Sequence, residues 1–235
     1  MRQFSDAHLA ALGLLALTAS LSVWAPRRHP GRWIVPAART LALVIFAGWA
    51  GEYVADVALG TWTTQYDLPL QLTDAVSVLA ILALWSRRVL LVELVYFLSL
   101  TASLQAVLTP DLAWSFPSVY YFTYFTYHIG AIVAACFLVL GCRIYPRPGA
   151  VWRVYAAALA FTAIAALGDV VTGGNYMYLR EKPEHSSLLN LMGPWPWYIA
   201  ETLVLALVLL LAVKVLTDLA HRRDVAHGEA RQTAS

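Results

Sequence analysis

The sequence predicts an all-α membrane protein: a bundle of seven transmembrane helices, N-terminus outside the cell and C-terminus in the cytoplasm. Three observations lead there. The 235 residues are 60% hydrophobic and only 13% charged, whereas a soluble domain carries roughly 25% charged residues. Apolar runs near the ~20 residues that cross a hydrocarbon core recur along the whole chain. The arginines gather in alternate connections between those runs.

The runs fall at 7–25, 34–59, 68–85, 89–108, 118–142, 151–172 and 196–217. Lipid offers no partner to a backbone N–H or C=O, so each run is a helix. The first could pass for a signal peptide. Its start holds Asp6 and His8 as well as Arg2, and no small-x-small cleavage pattern follows, so it reads as a retained helix. Pro69, Pro117 and Pro196 fall at or near helix starts, where a missing N–H is harmless. The first connection carries Arg27, Arg28 and Arg32, the third Arg87 and Arg88, the fifth Arg143 and Arg147, and the tail Arg222, Arg223 and Arg231. The second, TWTTQYD, and the fourth, TPDLAWSFPS, carry none. By the positive-inside rule the basic connections and the C-terminus face the cytoplasm. In the sixth connection Arg180 and Lys182 alternate with Glu181 and Glu184, and it falls outside.

Residues 1–219 therefore form one transmembrane domain, and 220–235, AHRRDVAHGEARQTAS, read as a disordered cytoplasmic tail. The basic residues are sorted by topology, which excludes nucleic acid as their reason. Cys136 and Cys142 are six apart on one helix and face different ways, so they serve packing rather than a disulfide. No cofactor or metal site is expected, since no HExxH or comparable ligand spacing occurs.

An ionisable side chain inside a span is a functional hypothesis by default. Glu52 and Asp56 lie in the last turns of the second run, Asp74 in the third, Glu93 in the fourth, His128 in the fifth, Asp169 in the sixth and Glu201 in the seventh. At ~1.5 Å per residue, Thr73, Asp74 and Glu201 lie ~8 Å below the outer face and His128 ~15 Å below it. All but Glu93 share the outer leaflet, so a polar pocket is expected to open at or beneath the outer face. Glu93, near Arg87 and Arg88 at the cytoplasmic end, is expected to snorkel or to pair. Glu52 and Asp56 are i,i+4 and share a helix face, as do Tyr120, Tyr124 and His128. Gln71 and Gln105 add neutral polar groups.

A histidine beside a hydroxyl is the minimum for acyl transfer. In that reading Thr73 is the nucleophile, His128 the base and Asp74 the group that orients the ring. The surplus acids suit an ammonium group, which aromatic rings also attract. The expected ligand is a membrane lipid with an ammonium head group. Its contacts would come from Glu52, Asp56, Gln71, Gln105, Tyr124, Asp169, Asn175, Tyr176, Trp197 and Glu201. The competing reading is a proton-linked or cation-binding transporter or sensor, because clustered membrane carboxylates with one histidine also describe a relay. Residues 168–201, GDVVTGGNYMYLREKPEHSSLLNLMGPWPWYIAE, read as a rigid outer lid flanked by Asp169 and Glu201, with His185, Ser186 and Ser187 as solvated loop.

Three stretches carry a resemblance: LPLQLTDAVSVLA at 68–80, YYFTYFTYHIGAIVA at 120–134, and the pattern D-x-x-x-G-x-N-Y-x-x-L-x-x-K-P followed by S-L-L-x-x-x-G-P-W-P-W-Y. They resemble the YwaF-like bacterial integral membrane proteins over all seven runs. The resemblance implies kinship with the eukaryotic Transmembrane protein 164 acyltransferases, which remodel phospholipids, and a bacterial plasma-membrane location. More distantly the chain is similar to androgen-induced-gene hydrolases of fatty acid esters, which use a membrane Thr and His. His128 matches the family histidine. The acyltransferases use a cysteine near the Leu-Pro segment. Here that segment offers Leu70, Gln71 and Thr73, so Thr73 would take the cysteine's place.

Overall fold

The computed structural model describes residues 1–183 and 187–232. His185 and Ser186, read from sequence as solvated loop, lie outside them. The described residues form seven main helices: α1 Asp6–Arg28, α2 Ile34–Leu59, α3 Leu72–Ser86, α4 Val89–Leu108, α5 Val119–Gly141, α6 Ala150–Thr172 and α7 Trp197–Gln232. Six of them are long and apolar enough to cross a membrane, and α3 is a shorter apolar helix. The all-helical, polytopic architecture read from the sequence is what the chain adopts.

Large apolar side chains stay exposed along the outer faces: Leu167, Val170 and Val171 on α6, and Val204, Val208, Leu211, Val215 and Leu216 on α7. Hydrocarbon solvates such a surface and water does not. The centre is α5, packed against α2, α3, α4 and α1. Small residues set the closest approaches. A Cβ on Gly48 of α2 would lie 2.8 Å from the Thr126 side chain of α5, and one on Gly130 would lie 2.6 Å from Ile45. Two π-helical turns interrupt the helices, Ser99–Ser103 in α4 and Cys136–Gly141 in α5.

The arginine-rich end is knotted by two carboxylates. Glu93 is fully buried. Its Oε1 accepts from the backbone N–H and Nε of Arg147, both at 2.9 Å, and from Nη2 of Arg153 at 2.9 Å. Of the two roles expected for Glu93, pairing is the one it has. Asp224 accepts two bonds from Arg27 at 2.9 Å, one from Tyr145 at 2.5 Å and one from Arg143 at 3.3 Å.

Two sequence expectations change. The third helix begins at Leu72, not 68. Gln71 and Asp74 close a capping box there, which fixes the start after Pro69. The helix expected to end at 217 continues as α7 to Gln232, so 220–232 are helical rather than a disordered tail. Alanines and long charged side chains favour helix there, and Asp224 is tied to α1 and to the α5–α6 connection. Residues 233–235 lie outside the described residues.

Candidate functional site

The site gathers at the end of the bundle opposite the arginine knot, where α2 ends and α3 begins. Trp49, Glu52, Tyr53 and Asp56 are spaced i, i+3, i+4 and i+7, so α2 presents them on one face. With Tyr66, Asp67, Leu68, Gln71, Asp74 and Tyr127 they line a cavity of about 70 Å³. Four carboxylates and four aromatic rings thus surround a space for a few water-sized groups.

Hydrogen bonds order this lining. Asp74 Oδ1 accepts from Trp49 Nε1 at 3.0 Å and from the Tyr53 hydroxyl at 3.2 Å. Its Oδ2 accepts from the Gln71 backbone N–H at 3.1 Å. Asp56 accepts from the Tyr120 hydroxyl at 2.7 Å. Glu52 Oε2 is buried with no hydrogen-bond partner among the described residues. An unsatisfied buried carboxylate oxygen is expensive, and it marks where a donor would be most welcome. Asp67 lies outside the spans. Burial pushes its carboxyl above the usual range, against the bond it accepts from the Thr63 N–H at 2.6 Å, and Asp56 adds to the rise.

The loop before α3 is held from above. The buried Tyr176 donates its hydroxyl to Thr64 O at 2.8 Å and accepts the Leu68 N–H at 2.9 Å. Asp169 Oδ1 accepts the Tyr176 N–H at 2.6 Å, and Gln71 Oε1 accepts the Met177 N–H at 2.9 Å. Asn175 closes the turn by accepting from the Arg180 and Glu181 N–H groups. Tyr178 donates to Asp111 at 2.8 Å, and Tyr198 donates to Tyr178 O. Gly173, with φ +75°, supplies the left-handed residue that ends α6 and starts this lid.

The TMEM164 family model matches residues 3–213. The chain belongs to the TMEM164 family. No curated protein and no solved structure matches it.

Set against this TMEM164-family fold, the sequence-selected residues divide. Glu52, Asp56, Gln71 and Asp74 come together at the cavity. Asp169, Asn175 and Tyr176 belong to the lid and do not line the cavity, though Tyr176 fixes its loop. Glu201 does not reach back to Asp74. It is exposed and accepts the Gly193 N–H at 3.0 Å, eight residues earlier, because the lid returns to α7 through that glycine. Trp197 is 67% exposed, as an interfacial aromatic is. Gln105 donates to Thr109 on its own helix, 2.6 Å away.

His128 is 2% exposed, its ring 4.1 Å from that of Tyr124 and 4.3 Å from that of Tyr127. Its Nδ1 lies 2.8 Å from Tyr124 O. A carbonyl only accepts, so Nδ1 carries the proton of the neutral ring and Nε2 is left with its lone pair. The bonds that Asp74 accepts come from Trp49, Tyr53 and Gln71, not from this ring. The Tyr124 carbonyl orients it instead. Thr73 is half-buried in the first turn of α3, beside Asp74 but outside the cavity lining.

Sequence reasoning passed over Trp49, Tyr53, Tyr66, Asp67 and Tyr127. The i, i+3, i+4, i+7 spacing on α2 carried the signal for the first two. It also passed over Ser99 and Ser103, both fully buried in the α4 π turn with hydroxyls unpartnered among the described residues. Tyr124 donates to Ala106 O at 2.9 Å across the α4–α5 interface.

Proposed function

We propose that this TMEM164-family protein binds a membrane lipid through an ammonium-bearing head group in the acidic cavity and performs acyl transfer or ester hydrolysis on it. The observation that carries the proposal is the cavity lining: Glu52, Asp56, Asp67 and Asp74 with Trp49, Tyr53, Tyr66 and Tyr127. Carboxylates attract the charge and ring faces the N–H or N–CH edges. Glu52 Oε2 is the one oxygen of the cavity's carboxylates that is buried without a partner among the described residues. A cavity of about 70 Å³ favours a compact primary ammonium over a trimethylated one. The positive-inside orientation puts this end at the outer leaflet. Phospholipid chemistry, and a bacterial plasma membrane as its place, are what the resemblance to YwaF-like proteins implies.

In the chemical step, His128 Nε2 would take the proton of a hydroxyl nucleophile as it attacks the ester carbonyl, then return it to the departing alcohol; water or an acceptor alcohol, deprotonated by the same Nε2, would then take the acyl group off the enzyme oxygen, which regains its proton. Thr73 stands where the resemblance expects the nucleophile, and Ser103 is the second candidate. The test uses the full chain in nanodiscs with acyl-labelled phosphatidylethanolamine. Release or exchange of the labelled chain, abolished by His128→Ala, supports the reading. Thr73→Ala and Ser103→Ala then assign the nucleophile. Turnover that survives His128→Ala overturns the mechanism.

The small cavity also favours a second reading, a cation or proton site in a transporter or sensor. Proton-dependent uptake into proteoliposomes without lipid turnover would establish it.

A further inference from the structure

A second concavity lies at the arginine-rich end, on the side of the bundle and away from the acidic cavity. It is a shallow groove, open along the side of the bundle, of about 560 Å³ between α1 and the π turn of α5, lined by Ala19, Ser20, Val23, Trp24, Arg27, Arg28 and Cys136. The helices meet closely beside it, where a Cβ on Gly141 would lie 2.5 Å from Ser22 O. Ala19 and Cys136 are too small to fill the rest.

Polarity along the groove is ordered. Arg27 and Arg28 stand at the rim. Trp24, four residues before Arg28 and so one turn inward on the same face, is 52% exposed. Val23 and Ala19 continue the wall toward the middle of α1. Cation, indole and aliphatic surface follow one another as phosphate, glycerol ester and acyl chain do in a phospholipid, and tryptophan prefers the middle level. The two arginines are not equivalent. Arg27 spends its guanidinium on Asp224 and on Leu140 O. Arg28 is exposed, no acidic residue lines the groove, and Arg32 follows in the same connection. The uncompensated charge selects a net negative head group, since a zwitterion would set its ammonium beside Arg28.

We propose that this groove holds a phospholipid of net negative head group, its phosphate on Arg28 and one acyl chain along Val23, Ala19 and Cys136. The proposal is independent of the reading of the acidic cavity. The full chain is reconstituted with equal phosphatidylglycerol and phosphatidylcholine, extracted in mild detergent and weighed intact with its retained lipids. Wild type should retain phosphatidylglycerol preferentially. Arg28→Ala should lower that preference about fivefold, as expected for one interfacial cation, and Arg28→Lys should keep most of it. Ala19→Trp fills the groove and should lower retention of both lipids while helix content and thermal midpoint stay at wild type. Glu52→Gln, in the acidic cavity, should leave the preference alone. An unchanged preference in Arg28→Ala, or full retention in a folded Ala19→Trp, overturns the proposal.

Discussion

Replacing Tyr176 by Phe tests whether the lid shapes the acidic cavity. The ring stays, and one oxygen is lost. That oxygen donates to Thr64 O at 2.8 Å and accepts the Leu68 N–H at 2.9 Å. Each bond is worth about 1 kcal/mol net. The Leu68 N–H is also left without an acceptor, so about 2–3 kcal/mol is removed from the closed state of residues 64–68. At about 1.4 kcal/mol per decade, even the lower figure raises local opening roughly 30-fold. Hydrogen–deuterium exchange of the full chain reads this directly. Uptake over the segment 60–71 should accelerate by that factor, while the α4–α5 core exchanges as before. Ethanolamine binding, measured by Trp49 fluorescence, should weaken as well, because Asp67 and Leu68 line the cavity. Unchanged exchange over 60–71 would refute the idea that Tyr176 holds this loop, and with it the structural role of the lid.

Further perturbations have definite expected outcomes. Glu93→Gln leaves Arg147 and Arg153 without their shared carboxylate. Breaking a fully buried pair costs about 3–5 kcal/mol. The two guanidiniums are 52% and 37% exposed and can turn to water, so a loss of about 2 kcal/mol, seen as a lower thermal midpoint in detergent, is expected. Gly141→Ala drives a methyl against the Ser22 carbonyl and should cost about 1–3 kcal/mol, read as easier proteolytic release of α1. Asp67 has its carboxyl raised by burial, so the folded loop binds a proton more tightly than the unfolded chain does. Its contribution to loop stability is full below the ordinary carboxylate range and is lost as pH rises through the raised value. Exchange over 60–71 should quicken across that window, and Asp67→Asn should flatten the profile.

The bundle was legible because a helix in lipid is a local object: its length, apolar composition and flanking arginines are all in the run itself. Glu52 and Asp56 were found for the same reason, being i,i+4 on one helix. What depth and spacing do not encode is which way a side chain turns once a connection folds over it. Counting residues puts Glu201 at the depth of Asp74, yet it accepts a bond from Gly193 of its own lid. Asp169 caps Tyr176 instead of reaching the cavity. Asp74 was expected to serve His128, but the capping box at Gln71 and the two donors from α2 claim it first. Each of these outcomes rests on contacts between segments far apart in sequence, or on a loop's return path, and neither leaves a periodic trace.

The short third helix explains why the cavity exists. Fifteen residues rise about 22 Å, against a hydrocarbon core of ~30 Å. The remaining depth falls to residues 68–71, which are not helical. Non-helical backbone is tolerated at such depth only when its polar groups are satisfied inside the protein or face a cavity. Every N–H here has a partner: Leu68 to Tyr176, Leu70 to Leu68 O and Gln71 to Asp74, while Pro69 has none to satisfy. Leu70 is also wedged against Gly168, where a Cβ would fall 2.4 Å away. Cysteine scanning in a chain carrying Cys136→Ser and Cys142→Ser tests the arrangement. A cysteine at the exposed Tyr66 should react quickly with a membrane-impermeant maleimide, and one at Leu70 should react at least tenfold more slowly, as a segment sealed by about 1.4 kcal/mol or more would. Equal rates would mean that 68–71 lie in water, that α3 starts at the membrane surface, and that the acidic cavity is a surface dimple rather than a site within the bilayer.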